Sequence, residues 1–190
     1  MQLEGVINGG GILLRTLQPD DATLTYLGWL SDPEINAYLE VRFSPPNSVD
    51  ALASFIAASN ASLDTVLLGI FIQENQRHIG NIKLGPIDWN HLVADIGFLI
   101  GDKRQWGRGY ASQAISLMGD YAFFHLGLAK LTAGCYSGNE GSRRALLKAG
   151  FVEEGRRMSQ WFVSGSREDG ILMGRVNPGI SSPHEFPLTK

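Results

Sequence analysis

The segment richest in chemistry is Arg104-Gln105-Trp106-Gly107-Arg108-Gly109-Tyr110-Ala111. A strand pattern stops before it and a helical pattern starts within it. Its glycines let the backbone turn and let a ligand come close to the N–H groups. A helix start adds donors without an intrahelical acceptor and the positive end of the helix dipole. Arg104 and Arg108 add full charges. Such a cradle suits a pyrophosphate. An ordinary glycine-rich connection with a solvated face fits the same spacing. A Rossmann fingerprint is disfavoured, because it needs a third glycine at the right offset, an early βαβ unit and an acidic residue about 20 residues on. A Walker A loop is excluded, since no Gly-Lys-Ser/Thr follows. His78, His91, His125 and His184 lack metal spacing, so no metal site is assigned.

The surrounding patterns say what must hold this loop. Ile12 to Leu17 reads as a strand, and the acidic pair Asp20-Asp21 can cap a helix over Ala22 to Leu30. Asp32-Pro33 opens a second helical piece through Leu39. Asn47 or Ser48 caps a third helix to about Ser59, with Leu52, Phe55 and Ile56 on one stripe. The period then changes. Thr65 to Ile72, His78 to Leu84 (ended by Gly85-Pro86) and Val93 to Ile100 read as three consecutive strands. Gly97 inside the last of them predicts a bulge or a close backbone approach. A helix follows Gly109, with Ala111, Ala114, Ile115, Met118 and Ala122 at helical spacing. Leu131 to Tyr136 is a strand, and Asn139 starts a helix that Gly150 closes. Met158 to Val163, Ser164-Gly165 and Ile171 to Val176 read as a closing hairpin. The mixture, with strands in succession, is α+β rather than a regular βα alternation.

At 190 residues the chain is one domain on the prior of about 150 residues per domain. Hydrophobic residues are 44% and charged residues 18%, a globular composition that argues against disorder. The net charge of -3 leaves no whole-domain basic footprint, so no nucleic-acid partner is expected. No apolar run reaches the length of a membrane span, and Met1 to Gly11 lacks the basic and apolar regions of a signal peptide. A cytoplasmic protein without a membrane partner is the expectation. The single cysteine excludes an intramolecular disulfide framework.

Four pieces in order, Ala94-Asp95-Ile96-Gly97-Phe98, Trp106-Gly107-Arg108-Gly109-Tyr110-Ala111, Asn139 with Ser142, and Lys148-Ala149-Gly150-Phe151, resemble the GNAT superfamily of acetyl-CoA-dependent N-acetyltransferases. The likeness is greatest to the RimJ/RimL-like branch. It covers residues 12–176 as one acetyltransferase domain, with 1–11 as an N-terminal extension and 177–190 as a tail. The family's phosphate motif, Gln/Arg-x-x-Gly-x-Gly/Ala, fits in two registers. One starts at Arg104 and the other at Trp106. The second is favoured because the branch commonly reads Trp-Gly-x-Gly-Tyr-Ala.

The resemblance implies a mostly antiparallel central sheet that splays between Asp95–Ile100 and Leu131–Tyr136. Pantetheine would lie in the gap as a pseudo-strand. A backbone N–H near Gly97 to Leu99 (Phe98 and Leu99 thus join the cofactor residues) would polarise the thioester carbonyl. Asp95 sits where some members carry a general-base Glu. Being one methylene shorter, it would act through water, or else pair as a strand-edge carboxylate with a cation. Asn139 would contact pantetheine or a water near the amine, and it also suits a helix cap. Ser142, one turn on, could meet the thioester sulfur or be an exposed helix serine. The family's frequent general-acid Tyr falls at Leu146, which has no proton to donate. Arg143 and Arg144 read as a CoA phosphate contact or a solvated face. Trp89, Asn90, His91, Glu34, Tyr38, Glu40 and Arg42 are candidates for an acceptor pocket, or for turn and core packing.

The implied activity is direct transfer of an acetyl group from acetyl-CoA to a primary amine, either a protein N-terminus or a small amine such as an amino sugar. A non-catalytic CoA-binding module and a domain binding another nucleotide are the alternatives. The closing hairpin could also pair with a second copy. A covalent acetyl-enzyme has one thiol to use, Cys135. A nucleophilic Cys needs a nearby base or cation, and none adjoins it in sequence. Cys135→Ala is expected to keep most activity, with intersecting initial-rate lines. Parallel lines and a dead variant would mean an acetyl-cysteine.

Overall fold

Why the apolar runs fold as they do is clearest at the centre of the sheet. The computed structural model describes residues 1–163 and 165–179. In it, Val66–Ile72 (β3) is buried on both faces. Val66, Leu68 and Ile70 enter one core, while Leu67 and Phe71 enter a second on the opposite face. A strand covered on both sides has no polar face, hence its continuous apolar sequence. Around it lie Val6–Gly9 (β1), Ile12–Thr16 (β2), His78–Asp88 (β4), Val93–Ile100 (β5), Lys130–Tyr136 (β6), Val152–Val163 (β7) and Ser166–Val176 (β8). They form one sheet in the order β1-β2-β3-β4-β5-β6-β8-β7. Every pairing is antiparallel except β5 with β6. The fold is mixed α/β with a mostly antiparallel sheet, as expected.

Helices cover both faces. Leu24–Ser31 (α1) and Val49–Ala61 (α2) close the face of Leu67 and Phe71. Tyr110–Phe124 (α3) and Glu140–Lys148 (α4) close the other. The cap of α1 is Thr23, whose hydroxyl accepts the Tyr26 N–H, rather than the acidic pair. Asp21 instead grips Arg15 at 2.7 Å. Ser48 caps α2.

Several expectations need correction. Residues 33–39 are turns, not a second helix. The Asp32 carboxylate accepts the N–H groups of Glu34 and Ile35, and Asn36 donates to Leu30 O, so side chains take the backbone's place. Strand β4 continues past Gly85-Pro86 to Asp88 through a break in register. Its imperfect alternation has a cause in the β3 ladder, where Ile70 faces Gly80 and Phe71 faces His78, leaving Ile79 as the extra residue of a bulge. Gly97 is no bulge. It pairs in register with Lys83, and a Cβ there would meet nothing within 4 Å. The close approach belongs to Gly80, where a Cβ would stand 2.1 Å from Leu99 O. The closing hairpin starts earlier on both strands, at Val152 and Ser166. Residues 1–11, read without an element, contain β1. Ser164, His184 and most of the tail lie outside the described residues. No helix among the described residues is long and apolar enough to cross a membrane.

Candidate active site

Strands β5 and β6 begin as neighbours and then part. Their ladder has three pairs: Val93 with Lys130, Ala94 with Leu131 and Asp95 with Thr132. Leu92 O, just before β5, accepts the N–H groups of Ala129 and Lys130 on the β6 side, and Gly101 N donates to Ile79 O on the β4 side. The period of two then turns the N–H and C=O groups of Ile96 and Phe98 toward β6, where no strand meets them. These groups face an open gap beside the exposed Gly97, where water meets them and an extended ligand can take its place. Gly97 on β5 leaves the space open on the α1/α2 face, whereas Gly134 on β6 lies under the Trp161 indole, 3.5 Å from where a Cβ would stand.

At the far end of β5 the loop closes on itself. The Trp106 indole donates to Ile100 O at 2.7 Å, so the side chain pins the loop to the strand. Gly107 and Gly109 have φ of +74° and +82°, which side chains rarely adopt. Gly109 is the N-cap of α3 and offers no side chain to it. The first helical bond is Gln113 N to Gly109 O, so Tyr110, Ala111 and Ser112 present N–H groups without an intrahelical acceptor. The two arginines differ. Arg104 is clasped by Asp102 at 2.9 and 3.1 Å, which holds that carboxyl below the usual carboxylate range. Arg108 is exposed and has no ionic partner among the described residues. Sequence reading missed Gln105. It is buried under the loop with its Oε1 unpartnered, and the charged pattern around it gave no sign of an inward side chain.

Across the gap, Asn139 caps α4. Its Oδ1 accepts the Ser142 N–H at 3.0 Å, which leaves the amide nitrogen for another contact. Ser142 is half-buried. Asp95 accepts the Thr132 hydroxyl at 2.9 Å. The surrounding protein pushes the Asp95 carboxyl above its ordinary value, against the opposing pull of Thr132 and Lys83. Thr132 was invisible in sequence because its role depends on the β5–β6 register. Leu146 is fully buried, and Cys135 is 2% exposed with burial pushing its thiol up. Arg143 pairs with Glu153 and Glu140, and Arg144 with Glu140, as a solvated face.

The acceptor candidates separate. Tyr38, Glu40 and Arg42 gather at Tyr136. Glu34 instead pairs with Lys103. Trp89, Asn90 and His91 form the β4–β5 turn, with the Trp89 indole on Leu63 O. That turn lies beyond the paired end of β5. Tyr136, six residues past Lys130, is about 20 Å further along β6. Trp161 and Glu168, which no motif marked, reach the same place as Tyr136. Trp161 lies 4.2 Å from the Tyr136 ring, and Glu168 accepts the Gly138 N–H.

Residues 12–152 match the family model for the acetyltransferase (GNAT) domain. An uncharacterized N-acetyltransferase of Bacillus subtilis, YoaA, is 29% identical over 168 residues, covering 88% of this chain and 94% of the relative. The crystal structure of spermidine N-acetyltransferase from Vibrio cholerae with CoA and spermine superposes with a TM-score of 0.78. It is 23% identical and covers 89% of this chain and 97% of that one. Ribosomal-protein-S5-alanine acetyltransferase from Vibrio fischeri has a TM-score of 0.76 at 18% identity, covering 92% and 98%.

The cap geometry makes a prediction of its own. Asn139→Ala removes a side-chain cap of the kind that contributes about 0.5–2 kcal/mol. A thermal melt should show Tm lower by about 2–6 °C. An unchanged Tm would show that the Asn139 bond adds nothing to α4.

Proposed function

The chain belongs to the GNAT acetyltransferase family, and we propose that it carries an acetyl group from acetyl-CoA to a primary amine by direct transfer between two bound substrates. The acceptor is a protein N-terminus or a small amine such as an amino sugar, and the setting is the cytoplasm. The likeness to the RimJ/RimL-like branch and the ribosomal-protein neighbour favour the first acceptor, and the spermidine enzyme favours the second. One observation carries the reading: an interrupted parallel ladder opens beside a helix start without a side-chain cap. The first offers amide-pairing groups for pantetheine, and the second offers donors for a pyrophosphate.

In this reading Trp106, Gly107, Gly109, Tyr110 and Ala111 form the phosphate turn. Arg108 supplies the free positive charge, and Arg104 holds the loop through Asp102. Phe98 N–H points into the gap and is the candidate donor to the thioester carbonyl, with Leu99 beside it on the acceptor face. The Asn139 amide nitrogen and Ser142 hydroxyl would be the donors toward the departing sulfur, whose thiolate would take its proton from Ser142 or from solvent. The Asp95 carboxylate takes the proton of the attacking amine, through water, with Thr132 fixing its orientation. When bound, acetyl-CoA supplies the activated acyl group.

Thermal-shift measurements with acetyl-CoA, CoA, NAD and ATP test the cosubstrate, since a ligand bound only by the folded state raises stability. Acetyl-CoA and CoA should raise Tm and the others should not. A CoA-driven shift without thiol release across an amine panel would favour a non-catalytic module. Gly109→Val should fold and lose acetyl-CoA binding, because a branched side chain both strains φ at +82° and covers the turn. Normal binding by the folded variant would misplace the loop.

The sign of the Asp95 shift sets a pH dependence. A base must be ionised, and a raised carboxyl loses ionisation at a higher pH than an ordinary aspartate as pH falls. The acid limb of kcat/KM should therefore lie above the ordinary aspartate range. Asp95→Asn should remove that limb and lower turnover by about a hundredfold or more. Wild-type turnover across pH in Asp95→Asn would remove Asp95 from the mechanism.

A further inference from the structure

The segment between α1 and α2 is tied to both lips of the cleft. At one end the Lys103 ammonium, three residues beyond β5, pairs with Asp32 at 2.9 Å and with Glu34. At the other, the hydroxyl of Tyr136, the last residue of β6, donates to Glu40 Oε1 at 2.7 Å and accepts from Arg42 at 2.9 Å. Arg42 reaches on to Phe162 O of β7 at 3.4 Å. Between the ties, Ile35 and Val41 pack on the core of the α1/α2 face. Residues 32–42 thus cross from the β5 lip to the β6 lip on the face that carries Gly97 and Gly134.

The two ties are unequal. Lys103, Asp32 and Glu34 have side chains 38%, 32% and 65% exposed, so water and salt screen their attraction. Tyr136 is 5% exposed, and the rings of Tyr38 and Trp161 lie against it at 5.4 and 4.2 Å. Both of its hydrogen bonds involve a charged partner, the stronger kind. A phenol set between a carboxylate and a guanidinium has one arrangement, in which its proton goes to Glu40 and its lone pair receives Arg42. Both loop side chains are thereby fixed. Glu40 Oε2 keeps no protein partner among the described residues.

We propose that Tyr136 is a positioning residue for the acceptor. Its hydroxyl holds Glu40 and Arg42, and with them residues 38–42, as the acceptor-side wall of the cleft. The proposal rests on the reading above, in which the amine meets the thioester on this face. Glu40 Oε2 is the oxygen that a cationic or donor group of the acceptor meets. The Tyr136 side chain lies on the α1/α2 face against the Tyr38 and Trp161 rings, and its hydroxyl bonds only Glu40 and Arg42, so losing the hydroxyl acts on residues 38–42 and leaves the phosphate turn and the β5 backbone as they are.

Tyr136→Phe keeps the packed ring and removes only the hydroxyl. Hydrogen exchange of the full-length protein should become faster in residues 33–43 while α2 is unchanged. Lys103→Met should do the same to a smaller extent. With spermidine, glucosamine and an alanine-initiated peptide as amine probes, Tyr136→Phe should raise the KM of whichever amine is acetylated by about tenfold, about 1.4 kcal/mol. The KM for acetyl-CoA should not move, and kcat should fall by less than twofold. Exchange in 33–43 equal to wild type, or an unchanged acceptor KM in an enzyme that turns over, overturns the proposal. A wild-type protein that binds acetyl-CoA and acetylates none of the amines counts against the proposed function, and exchange in 33–43 still decides the role of Tyr136.

Discussion

The ladder between β5 and β6 stops after Asp95 and Thr132, and the site depends on that break. Each strand keeps its outer neighbour, β4 on one side and β8 on the other, in antiparallel pairing. The two halves of the sheet are therefore each self-sufficient and can diverge. What divergence leaves is a line of backbone donors and acceptors at Ile96 and Phe98. In a finished sheet such groups are nearly always paired, because an unpaired one forfeits a hydrogen bond without water in exchange. The open position at Gly97 keeps a side chain from filling the gap on the β5 side.

The elements around the break are anchored independently of it. Two separate cores, one under α3 and α4 and one under α1 and α2, fix the two faces. The Trp106 bond to Ile100 O and the Asp102 clasp on Arg104 then fix the loop that follows β5. The two arginines of the loop differ in their partners: Arg104, 75% exposed, shares the Asp102 carboxylate with Arg77, whereas Arg108 projects its charge into solvent beside three uncapped N–H groups. Membership of the GNAT family accords with this plan of strands and helix ends around a gap.

Features carried by local chemistry were readable from the sequence. Gly107 and Gly109 announced a turn, which has left-handed backbone at both; Asn139 announced a helix cap, Asn47-Ser48 announced another that falls on Ser48, and Gly150 announced a helix end. Features carried by register were not. Thr132 became the partner of Asp95 only through a parallel pairing between strands 37 residues apart. Ile79 disguised β4 because a bulge breaks alternation. The edge strand β7 is exposed along nearly its whole length, and its first half carries the adjacent charged pairs Glu153-Glu154 and Arg156-Arg157 with no alternation, so that half has no strand signature in the sequence. Asp32 and Asn36 turned a helical pattern into turns through side-chain bonds that periodicity does not register. Tyr136 lies 96 residues from Glu40 and 94 from Arg42 in sequence and meets them only on folding.

The claim at the centre is that the backbone of β5 beyond Asp95 waits for an extended ligand. Amide hydrogen exchange resolved by NMR, with and without CoA, reads it residue by residue. The account predicts that CoA strongly slows exchange at Phe98, while amides of β5 that face β4, such as Gly97, keep the protection they already have. CoA binding that protects Tyr110 to Ser112 but leaves Phe98 exchanging as in the free protein would contradict it, placing the ligand on the helix start and outside the gap.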